Sequence, residues 1–180
     1  INLTITQPAA VTASSIVTHV SCNGGNDGTA TLTLSGGTGI LSANWGAANP
    51  NALSAGTHLF TVSDSNNCLL TDSVTITQPA AITASFITTD VDCYGDTTGA
   101  ATVLFSGGVT DYLLSWQNFT YLLPNGVNIF TTPVGVPAGI YPFGVTDANG
   151  CTYFDTITIF QPAAITASSI VTQVSCNGGN

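Results

Sequence analysis

A twenty-residue stretch occurs almost unchanged near both ends of the chain. Residues 7–26 read QPAAVTASSIVTHVSCNGGN and residues 161–180 read QPAAITASSIVTQVSCNGGN, which agree at 18 of 20 positions. The QPAA opening also recurs at residue 78, in a copy that agrees with the first at 12 of 20 positions. Self-similarity at this spacing indicates an array of like units. We therefore expect tandem domains cut from a longer array, with two alternating types of unit.

Landmarks inside the two complete copies keep the same spacing. Cys22 precedes Trp45 by 23 residues, and Cys93 precedes Trp116 by the same 23. Four segments follow from this alignment: the last strand of a preceding repeat at 1–6, repeat 1 at 7–77, repeat 2 at 78–160, and the start of the next repeat at 161–180.

Both repeats carry the alternating pattern of β-strands. In residues 28–37, GTATLTLSGG, Thr alternates with Ala30, Leu32 and Leu34, which predicts a strand with one buried face. The second copy places Ala101, Val103 and Phe105 on the same face. Residues 56–77 read as two further strands around a polar turn. The sequence predicts an all-β fold of tandem immunoglobulin-like β-sandwich domains in a linear array, with Trp45 and Trp116 buried in the third strand of each repeat. Proline ends the strand ladder at each boundary and should stiffen the linkers (Pro8, Pro79 and Pro162).

Repeat 2 is longer than repeat 1 because of an insertion. Residues 118–133, NFTYLLPNGVNIFTTP, read as a hairpin turning at Pro124-Asn125-Gly126. Its apolar residues exceed what one strand face can bury. They either extend the sheet of repeat 2 or form a lateral contact with a neighbouring repeat or an identical chain in a fibre. The candidate contact residues are Tyr121, Leu122, Val127, Ile129 and Phe130.

Composition excludes two classes of partner. The chain has no Lys or Arg, and its nine acidic residues, all Asp, give a net charge of −9. Without cations it cannot neutralise phosphates, so we expect no nucleic acid partner and no anionic membrane surface. No apolar run reaches the 18 residues that a membrane span needs, so we also expect no membrane insertion.

Five cysteines in a chain without Met indicate an oxidising, extracellular environment. The simplest pairing lies within each repeat, Cys22 with Cys68 and Cys93 with Cys151, and leaves Cys176 to a partner outside this sequence. Closing a loop of this kind stabilises a small domain by about 4 kcal/mol. The alternative joins Cys22 to Cys151 across the boundary and would link neighbouring repeats covalently.

No arrangement of residues points to catalysis or to a bound ion. His19 is replaced by Asp90 in repeat 2, and His58 is replaced by Tyr141, so neither position keeps its chemistry. Asp64 and the matching Asp147 are best read as turn-capping residues, because calcium needs six to eight oxygen ligands. We therefore expect that the protein is not an enzyme and that it has no catalytic residue, no metal and no cofactor.

The motifs together resemble a known family. The stretch VSCNGGNDGTATLTLSGGTG (20–39), with DSVTITQP (72–79) downstream, is similar to the SprB repeat of Bacteroidota cell-surface adhesins, and repeat 2 is similar in VPAGIYPFGVTDANGCTYFDTITIFQP (136–162). The resemblance implies β-sandwich modules, export by type IX secretion, an extracellular cell-surface location and a role in adhesion, including gliding motility.

We therefore expect a structural or adhesive repeat module of a long extracellular filament, whose partners are neighbouring repeats and a surface or glycan ligand. The alternative is a carbohydrate-binding module of a secreted multidomain protein. Three triplets, DSV, DTT and DTI, resemble the O-glycosylation sequence of exported Bacteroidota proteins. The resemblance places glycans on Ser73, Thr97 and Thr156.

Overall fold

The structure, a computed structural model, describes residues 3–124, 126–133, 135–173 and 177. Every helix or strand in this part of the chain is a β-strand, so the fold is all-β as predicted. The twelve strands are β1 (Thr12–Thr18), β2 (Thr29–Ser35), β3 (Ser42–Asn44), β4 (Gly56–Ser63), β5 (Leu69–Ile76), β6 (Thr83–Thr89), β7 (Ala100–Ser106), β8 (Tyr112–Trp116), β9 (Phe119–Leu123), β10 (Ile129–Thr131), β11 (Gly139–Thr146) and β12 (Thr152–Ile159).

These strands form four small antiparallel sheets, two in each repeat. Repeat 1 has a two-stranded sheet, β1-β2, and a three-stranded sheet, β3-β4-β5. Repeat 2 has a three-stranded sheet, β10-β7-β6, and a four-stranded sheet, β12-β11-β8-β9. Neighbouring strands that a short turn joins, such as β4 with β5 and β11 with β12, pair antiparallel, as a tight turn requires.

The buried hydrophobic side chains form two separate clusters, one in each repeat. Each cluster takes residues from both sheets of its repeat, because alternate positions of every strand turn toward it. The predicted inward face of the second strand is confirmed in both copies: Ala30 is buried with Leu32 and Leu34 packed beside it, and Ala101, Val103 and Phe105 are buried.

The insertion in repeat 2 is not a hairpin, and that prediction is wrong. Strand β9 pairs with β8 through a two-residue turn at Gln117 and Asn118, whereas β10 pairs with β7 in the other sheet. The insertion therefore crosses from one sheet to the other and adds a strand to each. Its first run pairs along the whole of β8, and its second run pairs with β7 and places Phe130 in the core. If the two runs paired with each other, β7 and β8 would lack these partner strands and the core of repeat 2 would lack Phe130.

A Ser-Gly-Gly turn follows the second strand of each repeat, and only glycine fits its first glycine position. Gly36 has a φ of 79° and Gly107 a φ of 80°. A Cβ added to either would lie 1.9 Å from a backbone carbonyl oxygen, that of Ala10 or Ala81. The first segment of each repeat therefore lies directly against the end of its second strand.

Candidate functional site: the junction between the repeats

Two loops meet where repeat 1 ends and repeat 2 begins. We call one side of this junction the first socket, which consists of Cys22 and Asn23 of repeat 1 and of Pro79–Ile82 at the start of repeat 2. The turn between β11 and β12, residues 147–151, packs against it, and together they line a cleft of about 380 Å³. The junction is therefore an interface between parts of the chain that are far apart in sequence.

The β1–β2 loop that carries Cys22 is held by its own hydrogen bonds. Asp27 accepts from the backbone N–H of Ser21 at 3.1 Å and from the Ser21 hydroxyl. The hydroxyl is the larger cause of a pKa of Asp27 below its ordinary value. In repeat 2 the neutral Thr98 hydroxyl accepts from the Asp92 N–H at 3.0 Å. An uncharged residue therefore accepts the equivalent backbone hydrogen bond, so the shape of this loop does not depend on a carboxylate.

The β11–β12 turn is shaped by one buried carboxylate. Asp147 Oδ1 accepts from the backbone N–H groups of Asn149 at 3.0 Å and Cys151 at 2.8 Å, and Oδ2 accepts from that of Val109 at 2.9 Å. Asn, Asp and Gly residues favour such turns because a short side chain can bond to nearby backbone.

Repeat 1 builds the same turn around Asp64. Its Oδ1 accepts from the N–H groups of Asn66 at 2.9 Å and Cys68 at 2.8 Å, and its Oδ2 accepts from that of Thr38 at 2.8 Å. The Cys68 N–H is the largest cause of an Asp64 pKa below its ordinary value, against the opposing effect of burial. The turn-capping interpretation of Asp64 and Asp147 is confirmed.

One disulfide joins the two loops of the junction. Cys22 bonds to Cys151, with their Cα atoms 5.6 Å apart, while Cys68 and Cys93 are free and exposed. The within-repeat pairing is therefore wrong, and the alternative pairing across the boundary is the one present. Cys176 lies outside the described residues.

Strand length explains why Cys22 cannot reach Cys68. The loop of Cys22 lies at the Ile76 end of β5, where the N–H of Val20 donates to the carbonyl of Thr77 at 3.0 Å. Cys68 lies at the other end, beyond Ser63 of the eight-residue strand β4. Such a strand is about 26 Å long, whereas the Cα atoms of a disulfide lie within about 7 Å.

Side-chain hydrogen bonds support the disulfide on both sides. Asn149 Nδ2 donates to the carbonyl of Ser21 at 2.9 Å, and Asn23 Nδ2 donates to the carbonyl of Pro79 at 3.0 Å. Gln78 Oε1 accepts from the N–H of Gly24 at 2.7 Å. Sequence reasoning missed these residues. The Gln-Pro pair that opens each repeat was the available signal, because a fixed Gln before the linker proline has no role within a strand.

Both histidines make hydrogen bonds that other residues make in repeat 2. His19 Nδ1 accepts from the N–H of Thr77 at 3.1 Å, and Asp90 Oδ1 accepts from that of Phe160 at 3.0 Å. His58 Nε2 lies 2.8 Å from the carbonyl oxygen of Ser54, just as the Tyr141 hydroxyl donates to that of Pro137 at 2.8 Å. Both side chains therefore form a hydrogen bond with the backbone of their own repeat. Among the described residues, no group of three His, Cys, Asp or Glu is placed to hold a metal ion.

The three candidate glycosylation residues share one local arrangement. Ser73, Thr97 and Thr156 are all exposed. In each case the backbone N–H donates to the carboxylate of the preceding Asp, at 2.8, 2.7 and 2.7 Å. The hydroxyls therefore stand on a fixed backbone at the surface, although in three different places.

The candidate lateral contact residues separate into two groups. Phe130 is buried, and Tyr121 packs against the same cluster with its ring centroid 4.8 Å from that of Phe130. Leu122, Val127 and Ile129 are exposed, by 65%, 42% and 48%. Of the five candidate residues, these three are available for a contact outside the repeat.

The two tryptophans differ in exposure. Trp116 is buried, as predicted, beneath Phe130 and Tyr141, with ring centroids 6.4 and 5.4 Å away. Trp45 is only half-buried, so that part of the prediction is wrong. Repeat 1 has no insertion to supply a Phe130 equivalent. The Trp45 ring packs on Phe60 at 5.0 Å, and one face borders an open groove of about 280 Å³.

Within the described ranges no helix is long and apolar enough to cross a membrane. Neither a curated protein nor a solved structure matches the chain. The model of the SprB repeat family matches two segments, residues 14–42 and 85–128. Each segment begins at the same place in the first strand of its repeat and includes the junction cysteine, Cys22 or Cys93. Each of the two repeats thus contains a segment that matches the SprB repeat family.

Proposed function

We propose that the chain is a load-bearing segment of an extracellular adhesin, in which SprB repeats act as structural units of a surface filament. The family supports a repeat of cell-surface adhesins. We also propose that this adhesin is exported by type IX secretion, takes part in gliding, binds an external surface and has no catalytic activity.

Each repeat is proposed to be an immunoglobulin-like sandwich. In repeat 2, the sheet order β12-β11-β8-β9 matches the order of strands G, F, C and C′ in a variable-type domain, and β6, β7 and β10 correspond to strands of the opposite sheet. The buried Trp116 stands at the end of β8, the counterpart of strand C, as in immunoglobulin domains. Repeat 1 has the same plan with fewer strands.

The observation that carries the mechanical role is the bond between Cys22 and Cys151. It spans 129 positions of the chain and crosses the boundary between the repeats. Tension applied at the chain ends reaches this bond before it can extend the residues between the two cysteines. Closing a loop of this size also raises the free energy of unfolding by about 5 kcal/mol through the entropy of the unfolded chain.

Single-molecule stretching of the chain, held at its two ends, tests this role. In the oxidised chain, the residues between Cys22 and Cys151 should add nothing to the extension at any force that leaves the disulfide intact. After reduction, unfolding should release about 450 Å more, since each extended residue spans about 3.5 Å. Equal extension before and after reduction would contradict the proposal. The Cys68→Ser chain is the control, because that thiol is not bonded.

A second function, carbohydrate binding, is supported by the half-exposed Trp45. Its groove is also lined by Asn44, Leu59 and Thr61, which combine an apolar ring face with polar groups, as sugar sites do. Binding of an oligosaccharide should change the fluorescence of Trp45 and protect its ring from a soluble quencher. The Trp45→Phe chain, which keeps buried Trp116, is the control and should show no response. A glycan array without binders would remove this second function.

A further inference from the structure

The second boundary of the chain carries an open copy of the first socket. Cys93, Tyr94 and the segment Pro162–Ile165 occupy the positions of Cys22, Asn23 and Pro79–Ile82. With Asp92 they line a cleft of about 460 Å³. We call this face the second socket. Its cysteine and its Pro-Ala-Ala-Ile segment repeat those of the first socket, whereas Tyr94 stands in place of Asn23. Among the described residues, no turn packs against it.

The second socket is already formed in the absence of an occupant. At the first boundary, the N–H of Val20 donates to the carbonyl of Thr77 at 3.0 Å, and at the second that of Val91 donates to Phe160 at 3.0 Å. The contact of a glutamine with the loop also recurs, because Gln161 Oε1 accepts from the N–H of Gly95 at 2.9 Å. These hydrogen bonds around Cys93 therefore repeat those around Cys22.

Repeat 1 presents the complementary element. The turn at Asp64–Cys68 has the hydrogen bonds of the turn at Asp147–Cys151, and Cys68 is exposed where Cys151 is bonded. Its Asn66 stands at the position of Asn149, whose side chain donates to the Ser21 carbonyl across the first boundary. The matching acceptor in the second socket is the carbonyl of Asp92.

We infer that the second socket binds the cysteine-bearing turn of another SprB repeat and that Cys93 forms a disulfide with that cysteine. By the same geometry, the turn of repeat 1 enters the socket of another repeat and bonds through Cys68. The two faces are different surfaces of one chain, so copies join head to tail and the contact propagates without closing. This inference rests on the proposed structural role of the junction and names its partner.

The bond forms by thiol–disulfide exchange. The Cys93 thiolate attacks a small disulfide such as oxidised glutathione and releases one glutathione thiol. The thiolate of the incoming cysteine then attacks the mixed disulfide at the Cys93 sulfur and releases the second. The two protons that the cysteines lose end on the two released thiols, so the exchange balances.

An extended chain tests the inference. Residues 161–180 match residues 7–26 at 18 of 20 positions, so a copy of residues 27–77 added after Asn180 completes a third repeat and supplies a copy of Cys68. The chain is refolded with reduced and oxidised glutathione and mapped by non-reducing mass spectrometry. In the monomeric chain we expect one peptide pair joining Cys22 to Cys151 and a second joining Cys93 to the added copy of Cys68, with native Cys68 alkylated because its partner repeat is absent.

The matched control is Cys93→Ser in the extended chain, in which the added cysteine should become alkylable while the bond between Cys22 and Cys151 stays. If that bond forms but Cys93 and the added cysteine are both alkylated, or if Cys93 bonds elsewhere, the inference is overturned and the proposed function stands. If neither bond forms, both are overturned.

Discussion

Cys22 and Cys151 are separated by 129 positions in sequence and by 5.6 Å between their Cα atoms. The bond closes a loop that includes most of both repeats. Replacing Cys151 with serine should therefore lower the free energy of unfolding by about 5 kcal/mol, because the unfolded chain regains the entropy of the open loop. Urea unfolding of the oxidised proteins measures the difference.

Asp64 should make the free energy of unfolding of repeat 1 depend on pH in the acidic range. Its pKa lies below the ordinary 3.8, since the N–H groups of Cys68, Thr38 and Asn66 stabilise the charged form. A lowered pKa in the folded state gives stability that is present above pH 3.8 and is lost as the pH falls through the lowered value. Asp64→Asn should be less stable at neutral pH and should lose less on acidification. Thermal unfolding at several pH values checks this, and parallel pH profiles for the two proteins would contradict it.

Gly107→Ala should destabilise repeat 2 by more than the strain of a positive φ alone. The new Cβ would lie 1.9 Å from the carbonyl oxygen of Ala81, so the backbone must shift. Gly95→Ala is the matched control, because Gly95 has a φ of 79° but nothing within 4 Å of the new Cβ. The control should cost about 1 kcal/mol. Comparable losses in the two variants, measured by chemical unfolding, would argue against the close approach.

Because the insertion crosses from one sheet to the other, replacing two of its apolar residues should have unequal effects on the free energy of unfolding. Phe130 is 8% exposed in the core, and Phe130→Ala should cost about 3–5 kcal/mol. Leu122 is 65% exposed, and Leu122→Ala should change stability by less than about 0.5 kcal/mol. If Leu122 belongs to a lateral contact, its replacement should instead reduce the bundling of filaments, which electron microscopy would show.

Ser73, Thr97 and Thr156 should carry O-glycans when the chain is exported from a Bacteroidota host. All three hydroxyls are exposed on backbone fixed by the preceding Asp. Intact mass should fall by one glycan with each Ser or Thr to Ala substitution. A secreted chain with the unmodified mass would contradict the prediction.

Sequence patterns predicted what depends on local period and spacing. The all-β fold and the inward positions of Ala101, Val103 and Phe105 followed from alternation, which directly reports which strand face is buried. The turn-capping role of Asp64 followed from its place in a polar turn. These features need no knowledge of how distant segments meet.

What the sequence left undecided depends on contacts between distant segments. The spacing of Cys22, Cys68 and Cys151 is compatible with two pairings, and only the position of each loop at one end of its strands selects between them. The prediction that the insertion forms a hairpin was wrong for a similar reason. Its two runs have the composition of a hairpin, but β7 and β8 offer each of them a better partner.

The boundary between the two repeats is crossed by two covalent connections rather than one. One is the peptide link at Thr77–Gln78, and the other is the disulfide at Cys22–Cys151. A single link would leave repeat 2 free to rotate about one backbone connection, whereas the second link restricts that rotation. Torque applied to repeat 1 should therefore be passed on to repeat 2.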